Sequence, residues 1–398
     1  MTKTFGTSAS REVIATLESA GYEAVFVGGS VRDHLLGKTA SDFDIATSAT
    51  PDEVKGQFQT TFDIGIEHGT IVVLLEGEPI EVTTYRSENT NTSTYKKATA
   101  DVPFVQSLHE DLKRRDFTMN AMALTLNGKL VDPFGGVADL QSRIIKAVDN
   151  AEDRFNEDPL RMLRAVRFSS VFGFDIELNT FTAIATKAEK IKQVSIERIK
   201  NEMDKIWTGS HSQKAIISLL TTGLADHLPL FPKDPQLLIN SSPFVNAWEG
   251  WANIMLVGDY SVDKVVKAYK LSKKERFYLI DVRSAFMNRI ERIYTNDDYY
   301  RFPQEVLVVA EKAFSAFHPE ASSLNESEIA HAKAELPIHS KEDLAISGKN
   351  LLDWKNQRGG HWVGEWISKI ESAILHGNVQ NEVDDIKEWF LNEYTSEK

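Results

Sequence analysis

The sequence predicts an α+β protein, a mixed sheet with helices over about the first 150 residues followed by an all-helical remainder. Two observations carry this. Up to about residue 150, short apolar runs alternate with glycine turns and helical stretches. From Ala151 onward, apolar residues recur at three- and four-residue spacings, strand patterns fade, and prolines gather at 229, 232, 235 and 243.

Taken in order, Val13, Ile14, Leu17 and Ala20 form a helical stripe that stops at Gly21. Ala24 to Val27 reads as a strand running into Gly28-Gly29, and Val31 to Gly37 as a short helix closed by glycine. Phe43 to Ala46 resumes an extended pattern. Thr70 to Leu75 and Pro79 to Tyr85 make two β-rich runs around Glu76-Gly77-Glu78, a hairpin signal. The polar stretch Ser87 to Thr94 has no apolar anchor and reads as a mobile loop. Beyond 150, helical periodicity marks Asp158–Ser170, Phe181–Ile191, Ile196–Trp207 and Gln213–Thr221.

The 398 residues leave room for two to four domains. No cysteine is present, which excludes disulfides, thiolate zinc sites and cysteine nucleophiles. The N-terminus lacks the apolar core of a signal peptide, and runs such as Ile71 to Leu75 fall far short of the roughly 20 residues that span a bilayer. A cytoplasmic chain without a membrane partner is expected. A net charge of −13 argues against a protein that coats nucleic acid through bulk positive charge. Windows of fifty residues refine this: 151–200 and 251–300 carry a small basic excess, and every other window is acidic. Lys273, Lys274 and Arg276 cluster in the second, as a phosphate contact or a solvated helix face. Global acidity therefore leaves room for a transient, salt-sensitive grip on RNA along one surface.

The most informative stretch runs from Gly28 to Asp44. On an extended segment Asp42 and Asp44 share a face, with Phe43 turned to the core. Two carboxylates that close repel unless a divalent cation lies between them, and magnesium takes oxygen ligands while sharing its shell with substrate phosphates. Gly28 and Gly29 let the backbone approach a triphosphate, and Arg32 supplies a direct phosphate contact. The spacing to Gly37-Lys38 is wrong for a P-loop. Glu81 offers a third carboxylate from a neighbouring strand, or an exposed structural glutamate.

Further motifs follow in order: Arg114-Arg115-Asp116-Phe117-Thr118-Met119-Asn120-Ala121-Met122, Asp132-Pro133-Phe134-Gly135-Gly136, Glu157-Asp158-Pro159-Leu160-Arg161, and Ser195-Ile196-Glu197-Arg198 with Glu202. With the Gly28–Asp44 segment, this series resembles motifs A to E of the class II tRNA nucleotidyltransferases, the CCA-adding enzymes, in their Gram-positive bacterial form. The resemblance implies a polymerase-β-like nucleotidyltransferase head over 1–148, a helical neck for nucleotide selection over 149–210, a helical body over 211–295 and a tRNA-binding tail over 296–398, the helical parts forming an elongated stack. It implies Mg2+ as cofactor, held by Asp42 and Asp44, and CTP, ATP and the acceptor and TΨC arms of tRNA as partners, with no obligate protein partner. Arg115 corresponds to a nucleotide-contacting position, Asn120 to the ribose region, and Arg164 and Arg167 to positions near the nucleotide. Asp116 and Thr118 are read as structural or catalytic.

The fourth motif also makes chemical sense unaided. On a helix starting near Asp158, residues 158, 161 and 164 share a face while Leu160, Leu163 and Val166 pack inward. A carboxylate accepts from an exocyclic amine and an arginine donates to a ring acceptor. Cytosine and adenine present that pair of groups; guanine and uracil present the reverse. Asp158 and Arg161 are therefore expected to template CTP and ATP; the bland alternative is a salt bridge between them.

Enzymes adding CC or A alone, and bacterial poly(A) polymerases, share the same head. The loop from Arg86 to Ala100, ending in Tyr95-Lys96-Lys97, is present, which favours full CCA addition. No His-Asp dipeptide occurs, so no appended phosphohydrolase domain is expected. A nucleotidyltransferase acting on a small molecule or protein would leave the Glu-Asp-x-x-Arg helix unexplained, and a tRNA chaperone without catalysis would leave the two aspartates so.

Overall fold

The computed structural model describes residues 5–40, 42–64, 69–86 and 107–396. The polar loop after Arg86, with its Lys96-Lys97 pair, lies outside the described residues. The chain divides into two compact units, 1–228 and 229–398. No described helix is long and apolar enough to cross a membrane.

The first unit is built on strands β1 (Ala24–Val27), β2 (Ile45–Thr47), β3 (Thr61–Phe62), β4 (Thr70–Leu75), β5 (Glu78–Thr84), β6 (Ala123–Leu124) and β7 (Leu130–Val131). They form one sheet in the order β3-β4-β5-β2-β1-β6-β7. Every pairing is antiparallel except β2 with β5, which run parallel with Ile45 opposite Val82. The expected hairpin is β4–β5, closed by Glu76 and Gly77, both at positive φ as a two-residue primed turn requires. Helix α1 (Ser8–Ser19) buries Val13, Ile14 and Leu17, as the stripe predicts. Helix α2 (Gly29–Leu35) starts two residues earlier than the sequence suggests, because Gly28 at φ 72° turns the chain directly off β1. Helices α3 (Pro51–Gln57), α4 (Leu108–Lys113) and α5 (Gly136–Gln141) complete the layer around the sheet. Val25, Val27, Ala46, Tyr85, Leu112, Ala121 and Val148 form its core.

The third motif is a structural device. Asp132 accepts from the Gly136 and Val137 amides at 2.7 and 2.9 Å, capping α5. Gly136 lies so close to Thr118 that a Cβ there would sit 2.3 Å from the Thr118 carbonyl oxygen. Thr118 in turn donates to Asp139 at 2.7 Å. This joins the second and third motifs.

The remaining helices of this unit are α6 (Ala151–Glu157), α7 (Leu160–Phe172), α8 (Leu178–Lys187), α9 (Ile196–Trp207) and α10 (Ser212–Thr221). Strand pairing does not stop at 150 as expected: β8 (Ile144–Ile145) and β9 (Asp175–Ile176) make a small parallel sheet. Gly173 ends α7 at φ 71° and Glu177 caps α8, so the two residues of β9 occupy a connection too short to show a strand pattern.

The second unit contains only helices among its described residues: α11 (Gln236–Ser241), α12 (Ala247–Val257), α13 (Val262–Tyr269), α14 (Lys273–Glu291), α15 (Asn296–Arg301), α16 (Gln304–Phe317), α17 (Glu326–Ala334), α18 (Gly348–Lys355), α19 (His361–Leu375) and α20 (Val383–Ser396), besides one short 3-10 turn. Arg289 on α14 and Glu311 on α16 form a buried ion pair at 2.8 Å. In the basic cluster, Arg276 donates to Asp263 at 3.0 Å and Lys273 lies over the Phe277 ring.

Candidate active site

The sheet supplies one wall of the site. Asp42 and Asp44 do not lie within a strand, which corrects the extended reading from Phe43: β2 begins at Ile45, and the Asp44 carbonyl accepts from the Val27 amide at 3.0 Å just before it. Phe43 packs edge-on against Phe5 and Phe26, as its place between the aspartates predicts. The parallel register of β2 and β5 puts Glu81 level with Asp44, each one residue before a paired position. Parallel neighbours project to the same face, so these two carboxylates stand side by side.

Electrostatics record that proximity. The Asp44 residue keeps solvent access, yet its carboxyl is pushed above the usual range by desolvation and by repulsion from Glu81 and Asp42, with Arg115 opposing. A Cβ on Gly28 would lie 3.6 Å from the Asp44 Oδ2 and 3.3 Å from an Arg115 guanidinium nitrogen, so the glycine turn passes directly over both. Mutually repelling oxygen donors suit a hard divalent cation. Among the described residues no three acidic or imidazole side chains enclose such an ion unaided. Asp44 and Glu81 are oxygen donors of the kind such an ion takes while sharing its shell with substrate oxygens.

The helices supply the other wall. Pro159 ends α6, and α7 begins only at Leu160, so Asp158 precedes the helix instead of starting it. Its Oδ1 accepts from the Leu160 amide at 3.2 Å and its Oδ2 from Arg198 at 2.8 Å. Leu160, Leu163 and Val166 are buried, as their spacing predicts. Arg161 donates to Glu157 at 2.8 Å and to the Arg114 carbonyl at 2.8 Å. Arg164 grips Asp116 at 2.6 Å and Arg167 meets Glu202 at 3.0 Å.

The second motif links the walls. Asp111, almost fully buried, accepts from Arg114 at 2.6 Å and Arg115 at 3.1 Å. Burial alone would raise its carboxyl, but the two guanidiniums outweigh it and hold it low. Asp116 behaves in the same way: burial opposes ionisation, and Arg164, Asn120 and the Phe117 amide overcome it. Asn120 donates to Asp116 at 3.0 Å and accepts from Arg32 at 2.8 Å, so it bridges the two motifs through protein groups. Arg167 is depressed by burial, with Arg164 adding repulsion and Glu202 opposing.

These groups line one cavity of about 570 Å³. Gly28, Gly29, Arg32, Asp44, Glu81, Arg115, Asn120, Asp158, Arg161, Arg164 and Arg167 all border it; of the metal- and nucleotide-binding candidates read from sequence, Asp42 alone is not on its surface. Arg86, Arg114 and Arg198 bring the guanidiniums to eight, against the four carboxylates of Asp44, Glu81, Asp116 and Asp158. In a chain of net charge −13 this is a concentrated anion site. Sequence reasoning missed Asp111 and Glu157 as holders of arginines, and Phe168 as a wall residue. The four-residue step from Arg164 to Phe168 is the signal that places this ring on the same face.

Known proteins match this architecture closely. The Poly A polymerase head domain family matches residues 24–146, the family described as an RNA- and SrmB-binding site of polymerase A matches 173–233, and tRNA nucleotidyltransferase domain 2 matches 243–390. The CCA-adding enzyme of Bacillus cereus strain B4264 is 38% identical over 385 residues, covering 95% of this chain and 96% of that protein. The CCA-adding enzyme of Bacillus anthracis strain CDC 684 is 39% identical over the same length, with the same coverage. The crystal structure of the Bacillus stearothermophilus CCA-adding enzyme in complex with CTP superposes with a TM-score of 0.85 at 35% identity, over 100% of this chain and 99% of that one. The arginine-lined cavity and the carboxylates beside it thus sit in a chain that belongs to the CCA-adding enzyme family of nucleotidyltransferases, whose chemistry depends on a divalent metal.

Proposed function

We propose that the protein adds C, C and A in turn to the 3′ end of tRNA from CTP and ATP, without a nucleic-acid template, releasing pyrophosphate at each step. The observation that carries this reading is the cavity itself, where eight arginines meet Asp44 and Glu81 from the sheet and Asp158 with Arg161 from the helices. The tRNA 3′-hydroxyl oxygen attacks the α-phosphorus in line, a new P–O bond forms, and the bond to the β-phosphate oxygen breaks. Asp42 and Asp44 would hold Mg2+, which when bound lowers the hydroxyl's pKa and neutralises the departing pyrophosphate. Gly28 and Gly29 let the backbone approach the phosphates, and Arg32 and Arg115 bind them through charge-assisted hydrogen bonds. Glu81 strengthens the negative field beside Asp44. Asp158 accepts from the exocyclic amine of cytosine or adenine, and Arg161 donates to the adjacent ring acceptor. Guanine and uracil would face each of these groups with its like, which leaves buried polar groups unpaired. Arg164 and Arg167 complete the wall behind the nucleotide.

In this reading residues 1–148 catalyse, 149–210 select the nucleotide, and the helices over 211–295 and 296–398 bind the acceptor and TΨC arms. A-form RNA offers its major-groove edges poorly, so that grip reads backbone and shape. The cytoplasm, where tRNA matures, is the compartment that fits. The deciding experiment incubates the protein with a tRNA lacking its terminal CCA, magnesium, and each NTP alone and together. Ordered addition of C, C and A followed by termination is expected; long A tails, or CC alone, would overturn the proposal.

A further inference from the structure

We propose that Phe172 is a positioning residue for the nucleotide's triphosphate, seating Arg32 on the stacked pair it forms with Phe168; this rests on the nucleotide-transfer reading above. Phe172 is the last residue of α7, and its ring stacks on Phe168 with centroids 5.9 Å apart and planes 13° from parallel. The Arg32 guanidinium carbon lies 4.8 Å from the Phe172 centroid and 5.5 Å from that of Phe168. The same guanidinium donates to Asn120 at 2.8 Å and to Asp33 at 2.9 Å, and it lies against the Gly29 turn. Arg32 is thus fixed from the side by polar groups and from below by aromatic faces.

The choice of an aromatic seat has a physical consequence. Asp33 already offsets part of the Arg32 charge, and a second carboxylate in place of the rings would cancel what remains for a phosphate. A ring quadrupole attracts and orients a cation while leaving its charge and its remaining N–H groups to a ligand. Positions 161, 164, 168 and 172 follow three- and four-residue steps, so they share one face of α7. One helix therefore carries Arg161 for the base and, further along, Phe172 for the phosphate-binding arginine. Base choice and phosphate grip are set by a common rigid rod.

The test is a double-mutant cycle in the full chain with Phe172→Ala, Arg32→Ala and both, measuring equilibrium binding of CTP and of ATP without tRNA, then kcat and KM. Phe172→Ala should weaken CTP and ATP equally, by about fivefold in affinity and in KM. kcat and the preference over GTP and UTP should stay unchanged, Phe172→Tyr should restore affinity, and the loss should vanish in the Arg32→Ala background. An equal loss in both backgrounds, or unchanged affinity in a folded variant, overturns the inference. If Phe172→Ala melts far below the parent, Phe172→Leu, which keeps apolar volume without the aromatic face, carries the same cycle. A parent protein that binds neither CTP nor ATP would overturn the function itself, which separates the two failures.

Discussion

The two walls of the cavity solve opposite electrostatic problems. On the sheet side, desolvation and the neighbouring Glu81 and Asp42 carboxylates make the Asp44 carboxyl harder to ionise than usual. On the helix side each charged group is already matched: Arg161 with Glu157, Arg164 with Asp116, Arg167 with Glu202 and Asp158 with Arg198. A wall left in mutual repulsion is completed by its ligand, whereas a wall of paired charges is organised before any ligand arrives. In the proposed reading chemistry belongs to the first and discrimination to the second, because selectivity needs groups that do not relax toward a wrong base.

Four substitutions break or sharpen that contrast. The largest effect is expected on the sheet wall: Asp44→Ala should lower incorporation of every nucleotide by on the order of a thousandfold, measured as single-turnover rates on tRNA. Its melting temperature should not fall, since the change relieves repulsion; an active Asp44→Ala would end the metal assignment. On the helix wall, Asp116→Ala leaves Arg164 without its closest partner and should cost about 3 kcal/mol in denaturant unfolding. Arg161→Ala should leave catalysis standing but reduce the preference for CTP over UTP by about tenfold or more, read from competing incorporation. The smallest effect is on pH. The Asp116 carboxyl is held below its unfolded range, so its stabilisation is complete above about pH 4 and lost as pH falls through the lower folded value. Asp116→Asn should flatten the acid limb of the stability curve there and leave the neutral region's slope unchanged.

Much of the helix wall was legible in sequence because it is local. The steps from Leu160 to Val166 fix which face of α7 is buried, and Arg161 and Arg164 then follow. Asp44 was legible for the same reason, and it lines the cavity although its backbone is not strand. What could not be read depends on register and on distant partners. Whether Glu81 is an ornament of β5 or a neighbour of Asp44 is decided by a parallel pairing across 37 residues of chain. Asn120 was legible as part of a motif, but its partners Asp116 and Arg32, the latter 88 positions away, were not. Arg198 was visible as part of a motif, but its bond to Asp158 spans 40 residues and no periodicity encodes it.

The cavity draws on residues from Val27 to Arg198, which all belong to the unit ending at Leu228. For a chain emerging from the ribosome this sets an order of events. The sheet wall is synthesised first, with Arg115 to oppose its repulsion, and the cavity closes only when α7 and α9 have followed. If the cavity holds the nucleotide, a CTP or ATP molecule bound there would report on folding of the first unit before the last helix has been made.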